Sequence, residues 1–94
     1  MKIEWSPKAD ADLTELFEYI ATDDIEAAFR VSEDIFNQTD MLADFPQMGR
    51  LGRVRGTREL VIAGTPYTVG YRITNDVVTI LRILHGARRW PKRM

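Results

Sequence analysis

The hydrophobic repeat along this 94-residue chain changes twice. "KIEW" (Lys2–Trp5) alternates polar and apolar positions, the two-residue period of a strand with one buried face. Leu13, Leu16, Phe17 and Ile20 then recur at helical spacing within "SPKADADLTELFEYIA". Ser6 can cap that helix, Pro7 suits its first turn, and Asp10 and Asp12 complement the positive end of its dipole. Thr22-Asp23-Asp24 stops it and caps a second helix, predicted from Ile25 to about Ala43. The second helix carries more apolar surface than one face needs. Ala28, Val31, Ile35, Leu42 and Phe45 form one stripe, and Ile25, Phe29, Phe36 and Ala43 form a neighbouring one. Packing of this second stripe against a sheet is the expectation; a docking surface for a partner's helix is the alternative.

Pro46 and Gly49 end the helical pattern, and "PQMGRLGRVRG" reads as an ordered surface loop. From Thr57 the period becomes two. "RELVIA", "YTVGYRI" and "VVTILRIL" are strands separated by turns at Gly64-Thr65-Pro66 and Thr74-Asn75-Asp76. Val69, Tyr71 and Ile73 share one face of the middle strand, with Thr68, Gly70 and Arg72 on the other. Gly70 inside a strand signals a bulge or a close backbone approach. Short turns imply an antiparallel meander, and a helical hairpin can cover one of its faces. The predicted fold is therefore α+β, in the order β-α-α-β-β-β with a basic C-terminal tail, as a single domain over residues 1–94.

Charge sharpens this picture. Residues 1–48 hold twelve Asp and Glu against Lys2, Lys8 and Arg30, a balance of −9. Residues 49–94 hold ten Lys and Arg against Glu59 and Asp76, a balance of +8. Either the basic half recognises a polyanion or an acidic partner, or the acidic helices neutralise the basic sheet within one fold. Other classes fall away. The chain has no cysteine and one histidine, so neither a disulfide framework nor a zinc site is expected, and no cofactor or metal is predicted. No apolar run approaches the ~20 residues of a membrane span. A cytoplasmic location without membrane contact is the expectation.

Three basic constellations remain as candidates. Arg50, Arg53, Arg55 and Arg58 bunch on the glycine-punctuated loop, where guanidinium groups suit phosphates or carboxylates, or guard a sheet edge against aggregation. Arg72 and Arg82 each interrupt an apolar strand; they are exposed and available, or they face carboxylates of the acidic helices. His85, Arg88, Arg89, Trp90, Lys92 and Arg93 gather at the end. His85 suits a general base or a hydrogen-bonded structural role. Trp90 can fill an interface or pack the tail onto its own domain. No nucleophile elbow, phosphate-binding glycine loop or metal triad is present.

"IEWSPKADADLTELFEYI", "FPQMGRLGRVRGTRELVI", "YTVGYRI" and above all "ILRILHGARRWP" resemble the RelE/ParE superfamily of bacterial type II toxins over nearly the whole length. The resemblance implies a helical hairpin on an antiparallel sheet, growth inhibition or plasmid stabilisation as the cellular role, and neutralisation by a cognate antitoxin. It implies that the antitoxin, expected to be of the ribbon-helix-helix type and encoded adjacently, brings the pair to its operator DNA. RelE-like members cleave messenger RNA on the ribosome; ParE-like members poison DNA gyrase and are not nucleases. Several cleaving relatives carry an arginine where this chain has Thr68, and some place a tyrosine after the histidine where it has Gly86. The pattern is closer to ParE, which implies no catalytic residues. The target-binding set is then Arg50, Arg53, Arg55, Arg58, Arg82, His85, Arg88, Arg89 and Trp90, and the antitoxin-binding set Ile25, Phe29, Phe36, Arg53, Arg55 and Arg72. In the RelE-like alternative, His85, Arg82 and Arg72 would serve an endoribonuclease acting with ribosome and messenger RNA.

Overall fold

The computed structural model describes residues 1–86 and 88–94. Two helices cover one face of a five-stranded mixed sheet. The order is β1 (Lys2–Trp5), α1 (Pro7–Ala21), α2 (Ile25–Asp40), a 3-10 turn (Met41–Ala43), β2 (Arg50–Leu51), β3 (Arg58–Val61), β4 (Tyr67–Thr74) and β5 (Val77–His85). Both helix starts use the expected caps. The Ser6 hydroxyl accepts the Ala9 N–H at 3.1 Å, and an Asp24 carboxylate oxygen accepts the Ala27 N–H at 3.0 Å. Each satisfies a donor that the first helical turn leaves without an intrahelical partner. The second helix stops at Asp40, earlier than the apolar spacing suggests, and tightens into the 3-10 turn that buries Leu42.

The α+β class and the helix–strand order agree with the sequence reading, and β3-β4-β5 is the predicted antiparallel meander. The sheet is wider than a meander and is not wholly antiparallel. Its strand order is β1-β5-β4-β3-β2, with β1 joined to β5 in parallel. A parallel neighbour requires a long crossover, here supplied by all the chain between them, so local turn signals do not reveal it. Opposite Gly70 and Tyr71 stand Arg82 and Ile80, which leaves Leu81 as an extra residue in β5. This irregularity is a bulge beside the glycine.

The core lies between helices and sheet. Leu16 and Ile35 from the helices meet Leu60, Val69, Tyr71, Val78, Ile80 and Ile83 from the strands. Full burial of each large apolar side chain contributes about 1.5–3 kcal/mol. Val69 and Tyr71 therefore fix which side of β4 faces the helices, and strand alternation turns Gly70 and Arg72 to the side away from them. One expectation holds only in part: Ile25 and Phe29 are exposed on the hairpin, with Phe29 edge-on to Phe17, while Phe36 lies against Trp5 of β1 yet stays partly exposed. Ala28, Ile35 and Leu42 already fill the space over the strands, so most of the second stripe stays outside.

Candidate functional site

The loop between β2 and β3 is held by its own backbone. Gly52 N–H donates to the Thr57 carbonyl at 2.8 Å, and the Thr57 hydroxyl donates to the Val54 carbonyl at 2.6 Å. Tyr71 fastens the segment before it, donating to the Pro46 carbonyl at 2.7 Å and accepting the Gly49 N–H at 2.9 Å. This approach requires glycine at position 49, since a Cβ there would stand 2.6 Å from the Tyr71 oxygen. Arg58 donates to the Gly49 carbonyl at 2.7 Å, so it ties the loop to β3.

Glu59 organises the arginines. Its carboxylate is buried, yet it accepts the Arg53 backbone N–H at 2.8 Å and the Arg50 guanidinium at 3.2 Å, with Arg53 Nε at 3.4 Å. Burial alone would raise its pKa. The Arg53 N–H, the Arg50 hydrogen bond and both positive charges outweigh that and hold it below the ordinary value of 4.5. The arginines remain outside: the Arg50 and Arg53 side chains keep 59 % and 45 % of their surface exposed while touching a carboxylate that keeps 1 %. One buried anion aims two cations at solvent.

The tail lies over the sheet face away from the helices. Trp90 sits beneath Arg53, whose guanidinium carbon is 4.1 Å from the ring centroid. A Cβ on Gly70 would stand 2.7 Å from Met94 Cε and 3.7 Å from the Trp90 ring. The predicted close approach at Gly70 is therefore to the chain's own C-terminus. Trp90, Pro91 and Met94 are half-buried, while Arg88, Arg89, Lys92 and Arg93 point outward. Arg55 and Arg72 are exposed as well. Among the described residues the salt bridges join Lys2 to Glu4, Arg50 and Arg53 to Glu59, and Arg82 to Asp12. The other cations of the basic half are therefore unpaired among those residues.

Arg82 belongs to a different arrangement. Its guanidinium grips Asp12 of α1 through Nε at 2.8 Å and Nη2 at 3.1 Å, and the same carboxylate accepts the Ile83 N–H at 2.9 Å. The hydrogen bond to Asp12 is the main reason the Arg82 pKa is raised. β1 reaches only as far as Ile80, so Asp12 closes the stretch of β5 edge that β1 leaves open. Beside it runs a groove of about 690 Å³ lined by Glu15, Tyr19, Tyr67, His85 and Arg88 among others. The His85 ring stands edge-on to Tyr67 at 5.8 Å. Arg72 lines a separate depression of about 370 Å³ with Leu51, Gly56, Thr57 and Arg58.

The structure thus gathers Arg50, Arg53 and Trp90 on one face, with Arg55 on the adjoining loop and Arg88 and Arg89 on the tail that crosses it. It sets Arg58 and Arg82 to internal work. Arg82 and His85 line the same groove, and Arg72 lines a different depression. Ile25, Phe29 and Phe36 lie on the helical layer, remote in the topology from Arg53, Arg55 and Arg72. Sequence reasoning missed Glu59 and Asp12. Glu59 had a signal: it is one of two acids in the +8 half and shares its strand face with Gly70. Asp12 had none, because it resembles every other helix-surface acid and meets a partner 70 residues away.

Comparison with known proteins agrees with this architecture. Residues 3–90 match the family described as ParE toxin of type II toxin-antitoxin system, parDE. The chain is 44 % identical over 91 residues to a Sinorhizobium fredii protein named "Putative toxin Y4kP", covering 97 % of this chain and 94 % of that one. It is 37 % identical over 87 residues to Toxin RelE2 of Caulobacter vibrioides, covering 93 % and 97 %. Among solved structures, a chain of the chromosomal ParDE toxin-antitoxin system from P. aeruginosa superposes with a TM-score of 0.79 at 30 % identity, covering 88 % of this chain and 92 % of that chain. The protein belongs to the ParE toxin family of type II toxin–antitoxin systems.

Proposed function

We propose that this type II toxin acts in the ParE-like way, by binding DNA gyrase and holding it with DNA broken, and that the sheet face bearing Arg50, Arg53 and the tail makes the contact. The observation that supports this reading is the outward display of cations on that face: Arg50 and Arg53 stay about half exposed while they engage Glu59, and Arg55, Arg88 and Arg89 are exposed without a salt-bridge partner among the described residues. Exposed guanidinium groups supply long-range attraction and paired hydrogen bonds to carboxylate or phosphate. Purified protein added to gyrase and relaxed plasmid is expected to inhibit supercoiling or to accumulate cleaved DNA. No effect at molar excess rejects this reading.

A cognate antitoxin partner follows from membership of the family. A wrapping antitoxin is proposed to lay apolar side chains of a helix on Ile25, Phe29 and Phe36 and carboxylates against Arg53, Arg55 and Arg72. Because these lie on different layers, the antitoxin must pass around an edge of the sheet. The ribonuclease alternative has partial support in the geometry: Arg82 and His85 line one groove, but Asp12 engages Arg82 and Arg72 lines a different depression. New 5′ ends within translated messages, lost in His85→Ala, would reinstate it.

A further inference from the structure

The C-terminal segment is fastened almost entirely by side chains. The Arg88 N–H donates to the His85 carbonyl at 3.0 Å; residues 89–94 make no backbone hydrogen bond to any other described residue. Two fastenings remain. Trp90 lies against the Arg53 guanidinium, which Glu59 holds in place from below. Met94 fills the slot that Gly70 leaves by lacking a side chain. The Trp90 Nε1–H is buried without an acceptor among the described residues, so among them the ring is seated by contact and not by a directed bond. The burial alternates accordingly: Trp90, Pro91 and Met94 face down, while Arg88, Arg89, Lys92 and Arg93 face up.

We propose that residues 88–94 form a detachable strap, whose seating on Gly70 and Arg53 converts four tail cations and the loop arginines into one preorganised surface for a linear polyanion. The seat does not bind the anion. It fixes the spacing of the charges that do, so Gly70, Met94 and Trp90 are positioning residues. Seated, the four cations approach Arg50, Arg53 and Arg55, and like-charge repulsion opposes closure. Salt therefore favours the seated strap, the reverse of its effect on an ordinary surface ion pair. An unseated tail keeps every charge but loses their fixed arrangement, and each must then be ordered again on binding. The inference rests on the basic face being the working surface, not on gyrase being the target.

Gly70→Ala tests it without altering a single charge. The added methyl takes the place of the Met94 Cε and Sδ, so the flexible end of that side chain must leave the slot. Limited trypsin digestion followed by mass spectrometry reads the tail, and the salt needed for elution from a heparin column reads the surface. The expected results are at least fivefold faster cleavage after Arg89 and elution at clearly lower salt, with an unchanged melting temperature. Met94→Ala empties the same slot without touching the strand and is expected to shift cleavage and elution in the same direction as Gly70→Ala. If Gly70→Ala cleaves at the wild-type rate, the seat is not a fastening. Faster cleavage with unchanged heparin elution overturns the preorganising role. Wild-type cleavage in Met94→Ala shows that Gly70 serves the strand alone and overturns the strap. Each readout stands whether or not gyrase is inhibited.

Discussion

Two arginine–carboxylate arrangements in this molecule look alike and do opposite things. At the edge of β5, Asp12 takes both the Arg82 guanidinium and the Ile83 N–H, and the Arg82 side chain keeps 21 % of its surface. On the loop face, Glu59 is buried more deeply than Asp12, but Arg50 and Arg53 reach it from outside and remain about half exposed. In the first, the anion closes an open strand edge and the cation holds it there. In the second, the anion aims cations outward. An ion pair therefore says little about function until the exposure of each partner is known, and that distinction separates the structural arginines of this toxin from those available for recognition.

The largest expected effect on stability comes from breaking the first arrangement. Asp12→Ala leaves a half-buried guanidinium and a strand-edge N–H without their acceptor, and is expected to cost about 2–4 kcal/mol in urea unfolding. Its heparin elution should change little, since no displayed cation moves. Glu59→Ala sharpens the contrast, with an expected loss of about 1–3 kcal/mol. Here the elution salt should fall and trypsin should cut after Arg53 faster, because the loop and the Trp90 fastening share that carboxylate. If Asp12→Ala lowers heparin affinity as much as Glu59→Ala does, the two arrangements are not distinct.

Acid gives a smaller effect of defined sign. The folded-state pKa of Glu59 is depressed, so its contribution to stability is fully present above the ordinary value of 4.5 and is lost as pH falls through the folded value. Protection of the loop from trypsin-like cleavage cannot be read there, but amide exchange at Arg53, whose N–H the carboxylate accepts, can. Its protection is expected to hold from neutral pH down to about 4.5, then drop at lower pH. In Glu59→Gln that step should vanish.

Much of the fold was legible because its signals are local. Ser6 and Asp24 caps, the Thr74-Asn75-Asp76 turn and the two-residue period of β4 each concern a few neighbouring residues. Asn75 and Asp76 indeed adopt positive φ of 51° and 62°, the conformation such turn residues tolerate best. The hidden parts depend on distance along the chain. The pairing of β1 with β5, the two-residue β2 and the Asp12–Arg82 bond join segments that no local pattern connects. The second stripe of α2 was partly misplaced for a related reason: periodicity identifies an apolar face but not which of two faces the sheet will occupy. For the candidate site, the arginines announced themselves by bunching, whereas their sorting into displayed and engaged depended on two carboxylates that composition alone treats as alike.

The smallest expected change in stability carries the most weight for function. Arg55→Glu alters an exposed, unpaired side chain and should shift unfolding by no more than about 0.5 kcal/mol. Arg53 is a poorer site for charge reversal, since a carboxylate there would face Glu59 directly. The most direct test of the displayed basic face is therefore growth arrest on induction of Arg55→Glu/Arg89→Glu, measured beside the melting temperature of the purified variant. The account predicts at least a tenfold weaker arrest with an essentially unchanged melting temperature. Full arrest at unchanged stability would contradict it, as would equal losses of both.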